Sequence, residues 1–143
     1  MLLSGCLAFV GPSDREGGVR DLVSARALWN TTGVSDYEVV MRTQCFCGGG
    51  GERQRYTVHN NVVTKIVVVS TGQALAIDPT RSVTPIEFAF DLLDRAVRET
   101  VDHLEVNYDD DWGFPRMLSV DYRTGVADDE ITVHLESFKP ISR

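Results

Sequence analysis

The chain contains no run of about 20 apolar residues, the length a helix needs to cross a bilayer, so no spanning segment is expected. It has no Gly-x-Ser-x-Gly turn. Its glycine run, Gly48 to Gly51, lacks the Lys and the helix that would make it a phosphate loop. Neither nucleophile-elbow nor phosphate-cradle chemistry is therefore expected. Cys-x-x-Cys and His-x-x-x-His patterns are missing, and with them the usual zinc spacings. Cations are scarce too: 14 Lys and Arg against 21 Asp and Glu give a net charge of −7. A nucleic-acid partner is not expected, because phosphate binding needs a basic surface. The scarcity is uneven. Between Asp102 and Glu136 stand ten acids and only two bases, Arg116 and Arg123, so an acidic C-terminal half is expected.

What is present suits one globular domain. The chain has 143 residues, 43% of them hydrophobic, enough for a single core. Three segments are expected: a remnant of a lipoprotein signal over 1–6, a flexible tether over 7–18, and one domain over 19–143. Leu3-Ser4-Gly5-Cys6 has the form of a bacterial lipobox, in which a small-residue run precedes the lipidated cysteine. Only five uncharged residues precede Cys6, fewer than an export signal needs. Lipidation at Cys6, with membrane attachment through acyl chains, is the expectation.

Val19 to Asn30 reads as a helix with Leu22, Ala25 and Trp29 on one stripe. Asp36 to Cys47 alternates as a strand, with Tyr37, Val39, Met41, Thr43 and Cys45 on one side and Glu38, Val40, Arg42 and Gln44 toward water. Arg53 to His59 and Val62 to Ser70 flank Asn60-Asn61, a pair suited to a two-residue hairpin turn. The second of these strands is apolar on both faces and is expected at the centre of the sheet. Thr84-Pro85-Ile86-Glu87 starts a helix, with Thr84 as cap, Pro85 at the first helical position and Glu87 placed for a capping box. Ile86, Phe90, Leu93 and Val97 form its buried stripe. Strands over His103 to Tyr108, Met117 to Tyr122 and Ile131 to Phe138 close the chain. This predicts an α+β fold: an antiparallel sheet of about six strands with two helices on one face, arranged as two αβββ halves.

Ser35-Asp36-Tyr37 leading into Cys45-Phe46-Cys47, the VxxNNVVTKIVVV hairpin, the TPxxxxFDLLxxA helix, LEVNYDDDWGFPRMLSVDY and VADDEITVHLESFKP together resemble a domain-of-unknown-function family of bacterial lipoproteins. The resemblance covers Ala27 to Pro140. It implies an exported, lipid-anchored protein of the bacterial cell envelope and transfers no catalytic residue.

Four features could carry chemistry. Cys45 and Cys47 are the only cysteines besides Cys6, and an exported protein meets oxidising conditions, so a Cys45–Cys47 disulfide is expected. Two residues apart on a strand is near the limit of disulfide reach, so the bond needs a local bend. His103-Leu104-Glu105 and His134-Leu135-Glu136 repeat one tripeptide, and on adjacent strands the His and Glu side chains could converge on a metal. Asp109 and Asp111 sit in an acidic turn that departs from the EF-hand pattern, since Trp112 and Leu118 take its Gly and Glu places. Asp128 to Glu130 is a second acidic turn. The reading is a non-catalytic binding or structural module, held at a membrane by lipid and serving another envelope protein, with no cofactor. The alternative is an enzyme or metal-dependent factor using the Cys45/Cys47 pair or the His/Glu face.

Overall fold

The structure, a computed structural model, describes residues 13–46 and 50–142, with side chains from residue 21 onward. The order is α1 (Ser13–Thr32), β1 (Tyr37–Gln44), β2 (Arg53–His59), β3 (Val62–Val68), α2 (Pro85–Glu99), β4 (His103–Tyr108), β5 (Pro115–Asp121) and β6 (Glu130–Pro140). The fold is α+β. One antiparallel sheet carries six strands in the order β3-β2-β1-β6-β5-β4. Each half therefore lays its three strands down in the same sequence, and the halves meet where β1 pairs with β6. α2 packs on β5 and β6, and α1 packs on α2.

Local chemistry accounts for most boundaries. Asn60 and Asn61 both take positive φ, 51° and 59°, as a tight hairpin of primed type requires. Thr84 caps α2, its hydroxyl accepting the Glu87 N–H, and Pro85 lies in the first turn. Glu87 does not complete a capping box; its carboxylate pairs with Arg26 of α1 at 2.7 Å. Tying the helices together there replaces the local bond. α1 begins at Ser13, so residues 13–18, expected in the tether, are helical; residues 7–12 lie outside the described residues.

The core fills the space between the sheet and the two helices. Trp29, Phe90 and Leu93 are buried as expected, Val120 of β5 is buried with them, and Ile66 is half-buried. Trp29 is the hub of an aromatic cluster, with ring centroids 5.9 Å from Tyr37 and 6.0 Å from both Phe114 and Phe138, all edge-on. Such pairs add about 0.5–1.5 kcal/mol each to their burial. Phe138 reaches the cluster through a bulge. Ser137 adopts φ 53°, and the β1–β6 register slips between Glu38 and Val40. The extra residue turns Phe138 onto the inner face.

Two further expectations fail. β3 lies at the sheet edge, not its centre. The chain turns at Gly72 (φ 73°) and folds back on β3, with a Val67–Ala74 bridge and a bond from Leu75 N–H to the Ile66 carbonyl. This returning segment takes the place of a neighbouring strand. Val40, expected toward water, is 1% exposed. The Arg53 guanidinium crosses β1 from β2 to reach Glu136 on β6 at 2.7 Å. Val40 lies between long charged side chains of the neighbouring strands, pairing with Arg55 of β2 and with Glu136 of β6.

Candidate functional site

Because α2 sits over β5 and β6, the inner faces of β2 and β3 are left to other cover. Met41, Tyr56, Val63 and Ile66 rise from the strands there, and Phe88 faces them from the first turns of α2. The segment between β3 and α2 closes over them and brings Ile77 and Val83. It holds its shape by local bonds. The Arg81 N–H donates to the Asp78 carbonyl at 3.1 Å, closing a turn with Pro79 at its second position. One carboxylate oxygen of Asp78 accepts both the Thr80 N–H at 2.9 Å and its hydroxyl at 2.6 Å. These two bonds, the hydroxyl's first, hold the Asp78 pKa below its usual value. A half-open cleft of about 260 Å³ remains, apolar inside and edged by Asp78, Arg81 and Ser82. Its size lies just below the lower end of the range for small-molecule sites, about 300 Å³. The Tyr56 hydroxyl donates to Gln54 at 2.9 Å, and burial pushes its pKa up, so the phenol is neutral near pH 7.

A second hollow, about 460 Å³, lies between α1 and α2 and is lined by Leu22, Val23, Arg26, Ala27, Asn30, Phe90, Asp91 and Asp94. Its one cation is already engaged: Arg26 pairs with Glu87 and stacks 4.5 Å over the Phe90 ring.

The residues singled out by sequence are scattered. β5 separates β4 from β6, so the two His/Glu tripeptides are not neighbours. Across β5, His103 lines up with Asp121 and Glu130, whereas His134 lines up with Met117 and Asn107. Two strand spacings put them about 10 Å apart before that offset is added. Glu136 is taken by Arg53. Among the described residues, no group of three metal-ligating side chains forms. The Asp109 carboxylate accepts the N–H groups of Asp111 and Trp112, at 3.0 and 2.9 Å, and so braces its own turn. Asp129 pairs with Arg123 at 3.2 Å. Cys45 is half-buried just beyond β1 and is engaged by a partner. Cys47 lies outside the described residues, as does Cys6, so the expected bond and lipidation are not described.

One arrangement has no signal in the local sequence. Asp36, 8% exposed, receives the Ser35 hydroxyl at 2.8 Å on one oxygen. Its other oxygen accepts the Asn60 N–H at 3.2 Å and faces Nδ1 of His59 at 3.1 Å. A carboxylate so placed orients an imidazole. Here it also ties the β2–β3 turn to the start of β1. Asp36 stands 23 residues before His59, so only the fold brings the pair together.

No curated protein matches the chain. The profile of a Family of unknown function (DUF6174) matches residues 21–140, from within α1 to the last residue of β6. The matched stretch contains the whole sheet, α2 and the cleft, and the chain belongs to that family.

Proposed function

We propose that this protein is a non-catalytic binding module of the bacterial cell envelope, anchored to a membrane by lipid at Cys6, with the cleft beneath the 69–83 segment as its binding site. The cleft carries the reading: it is an apolar hollow over β2 and β3, away from the strands α2 chiefly packs on, bordered by a segment with its own turn bonds. The Leu3-Ser4-Gly5-Cys6 sequence supports the address. In the same reading Cys45 and Cys47 form a disulfide in the exported protein. The strand ends at Gln44, the following residues bend, and Cys45 is engaged.

Expression behind a complete export signal tests the address. The wild type should carry acyl chains on Cys6 and fractionate with membranes, and Cys6→Ser should be released or left unprocessed. Equal membrane retention of a fully processed Cys6→Ser protein counts against the anchor. Mass spectrometry without reduction tests the bond; two alkylatable thiols at Cys45 and Cys47 in envelope-derived protein count against it. Met41→Trp tests the site: filling the cleft should abolish ligand capture while the thermal transition stays cooperative.

A further inference from the structure

We propose that the cleft takes a straight-chain carboxylate of about eight to ten carbons, with its chain on the apolar floor and its carboxylate on Arg81. The inference rests on the cleft being the binding site and adds the chemical class of its ligand. Three observations carry it. First, the floor is mainly aliphatic: Met41, Val63, Ile66 and Ile77 dominate it, with Tyr56 and Phe88 as the aromatic walls. Met41 can adapt its shape to a flexible chain, and the stiff β-branched Val63, Ile66 and Ile77 give that chain a fixed apolar surface. Second, the volume sets the length. At about 30 Å³ for each water-sized group, 260 Å³ accommodates roughly nine such groups. A short acyl chain fills it, and a long one would protrude through the open side.

Third, the rim holds one uncommitted cation. Arg81 is the one Lys or Arg side chain lining the cleft, and among the described residues it has no ion-pair partner. A guanidinium fork matches a carboxylate in two-point geometry. Asp78, on the same rim, is tied by one oxygen into the turn that presents Arg81. Its charge disfavours a doubly charged head such as a phosphate monoester, and selects a singly charged group on the Arg81 side. Charged groups on the rim and an apolar floor suit an amphipathic ligand with one charged end.

Titration of the purified full chain with decanoate, decanol and acetate, followed by chemical shifts of the Met41, Ile66 and Ile77 methyl groups, tests the proposal. Decanoate should bind saturably and shift these methyls. Decanol and acetate should each bind at least about fivefold more weakly. Arg81→Ala should weaken decanoate about five- to tenfold, the loss of one exposed charge-assisted contact, and leave decanol unchanged. Asp78→Asn keeps the turn and should bind decanoate as tightly as the wild type or more so. Equal affinity for decanol and decanoate, or no loss in Arg81→Ala, overturns the assigned head group while the cleft remains a binding site. Loss of decanoate binding in Asp78→Asn overturns the head-group geometry in the same way. Absence of saturable shifts with all three probes overturns both the ligand class and the cleft reading. Arg81 is exposed on a loop, so its variant folds, and an unchanged spectrum away from the cleft verifies this.

Discussion

Asp36 and Asp102 occupy the same place in the two halves of the fold. Each stands immediately before the first strand of its half, and each clamps the last turn of that half. Asp36 accepts the Asn60 N–H in the β2–β3 turn at 3.2 Å, and Asp102 accepts the Thr124 N–H and hydroxyl in the β5–β6 loop at 2.7 and 2.8 Å. Each follows a helix whose end is marked by a left-handed residue, Gly33 at φ 66° and Thr100 at φ 55°. Together with the repeated strand order, this makes the molecule two αβββ units laid side by side in the same sense.

The two clamps should differ in strength, because Asp36 is buried and Asp102 is exposed. Asp36→Ala leaves the Asn60 N–H and the Ser35 hydroxyl without their acceptor and should cost about 2–3 kcal/mol. Asp102→Ala should cost about 1 kcal/mol or less, since water replaces the lost acceptor. Urea denaturation at pH 7 measures both. A loss at Asp102 as large as that at Asp36 would contradict the burial argument.

Gly113 is where the β4–β5 turn meets α1. A Cβ there would stand 2.5 Å from the Ala25 carbonyl oxygen and 2.9 Å from Leu28 Cβ, and the residue has φ 82°. Gly113→Ala therefore combines backbone strain of about 1–2 kcal/mol with a clash against a helix backbone that cannot move alone. We expect a loss of about 3 kcal/mol or more, with the Trp112 and Phe114 contacts loosened. Gly125 is the control. Its φ is 87° but nothing lies near the added carbon, so Gly125→Ala should show the strain alone. Equal thermal shifts for the two variants would remove the packing contribution.

Much of this architecture is legible in the chain. The α2 start is written in Thr84-Pro85, its buried stripe in Ile86, Phe90 and Leu93, and the β2–β3 turn in Asn60-Asn61. What was not legible depends on segments far apart. β3 reads as a central strand because a stretch apolar on both faces does not say whether a strand or a returning loop covers its edge. Val40 reads as exposed because its neighbours on that face, Arg55 and Glu136, come from β2 and β6 and not from its own strand. The cleft is assembled from three strands, a loop and a helix, so no local motif announces it. The His/Glu tripeptides show the converse. They are a real repetition in sequence that β5 separates in space.

Alkaline pH should weaken the fold through Tyr37. Burial pushes its phenol up to about 12. The hydroxyl is turned toward Thr84 and the Ile86 N–H at the start of α2, without reaching hydrogen-bond geometry. A raised folded-state value means that the folded protein favours the neutral phenol. The associated stability is fully present below the unfolded value of about 10 and is lost as pH rises toward 12. A shift of that size corresponds to about 3 kcal/mol. Tyr108, also raised to about 12 by burial, adds a smaller share because it is only half-buried. Tyr37→Phe should flatten the decline between pH 10 and 12 and change stability little at pH 7. An unchanged alkaline slope in that variant would assign the effect elsewhere.

The Arg53–Glu136 strap separates charge from cover. Its partners are 47% and 35% exposed, and an ion pair in that setting contributes about 0–1 kcal/mol. The strap, however, spans β1, whose Val40 is 1% exposed and pairs with Glu136. If cover is the larger contribution, Arg53→Met, which keeps an apolar stem, should cost under about 0.5 kcal/mol. Arg53→Ala opens Val40 to water and should cost more than about 1 kcal/mol. Raising salt to 1 M should narrow the small Arg53→Met difference, since screening acts on the charge alone, and leave the Arg53→Ala loss nearly intact. Equal losses in the two variants, both abolished by salt, would make the strap an electrostatic device instead.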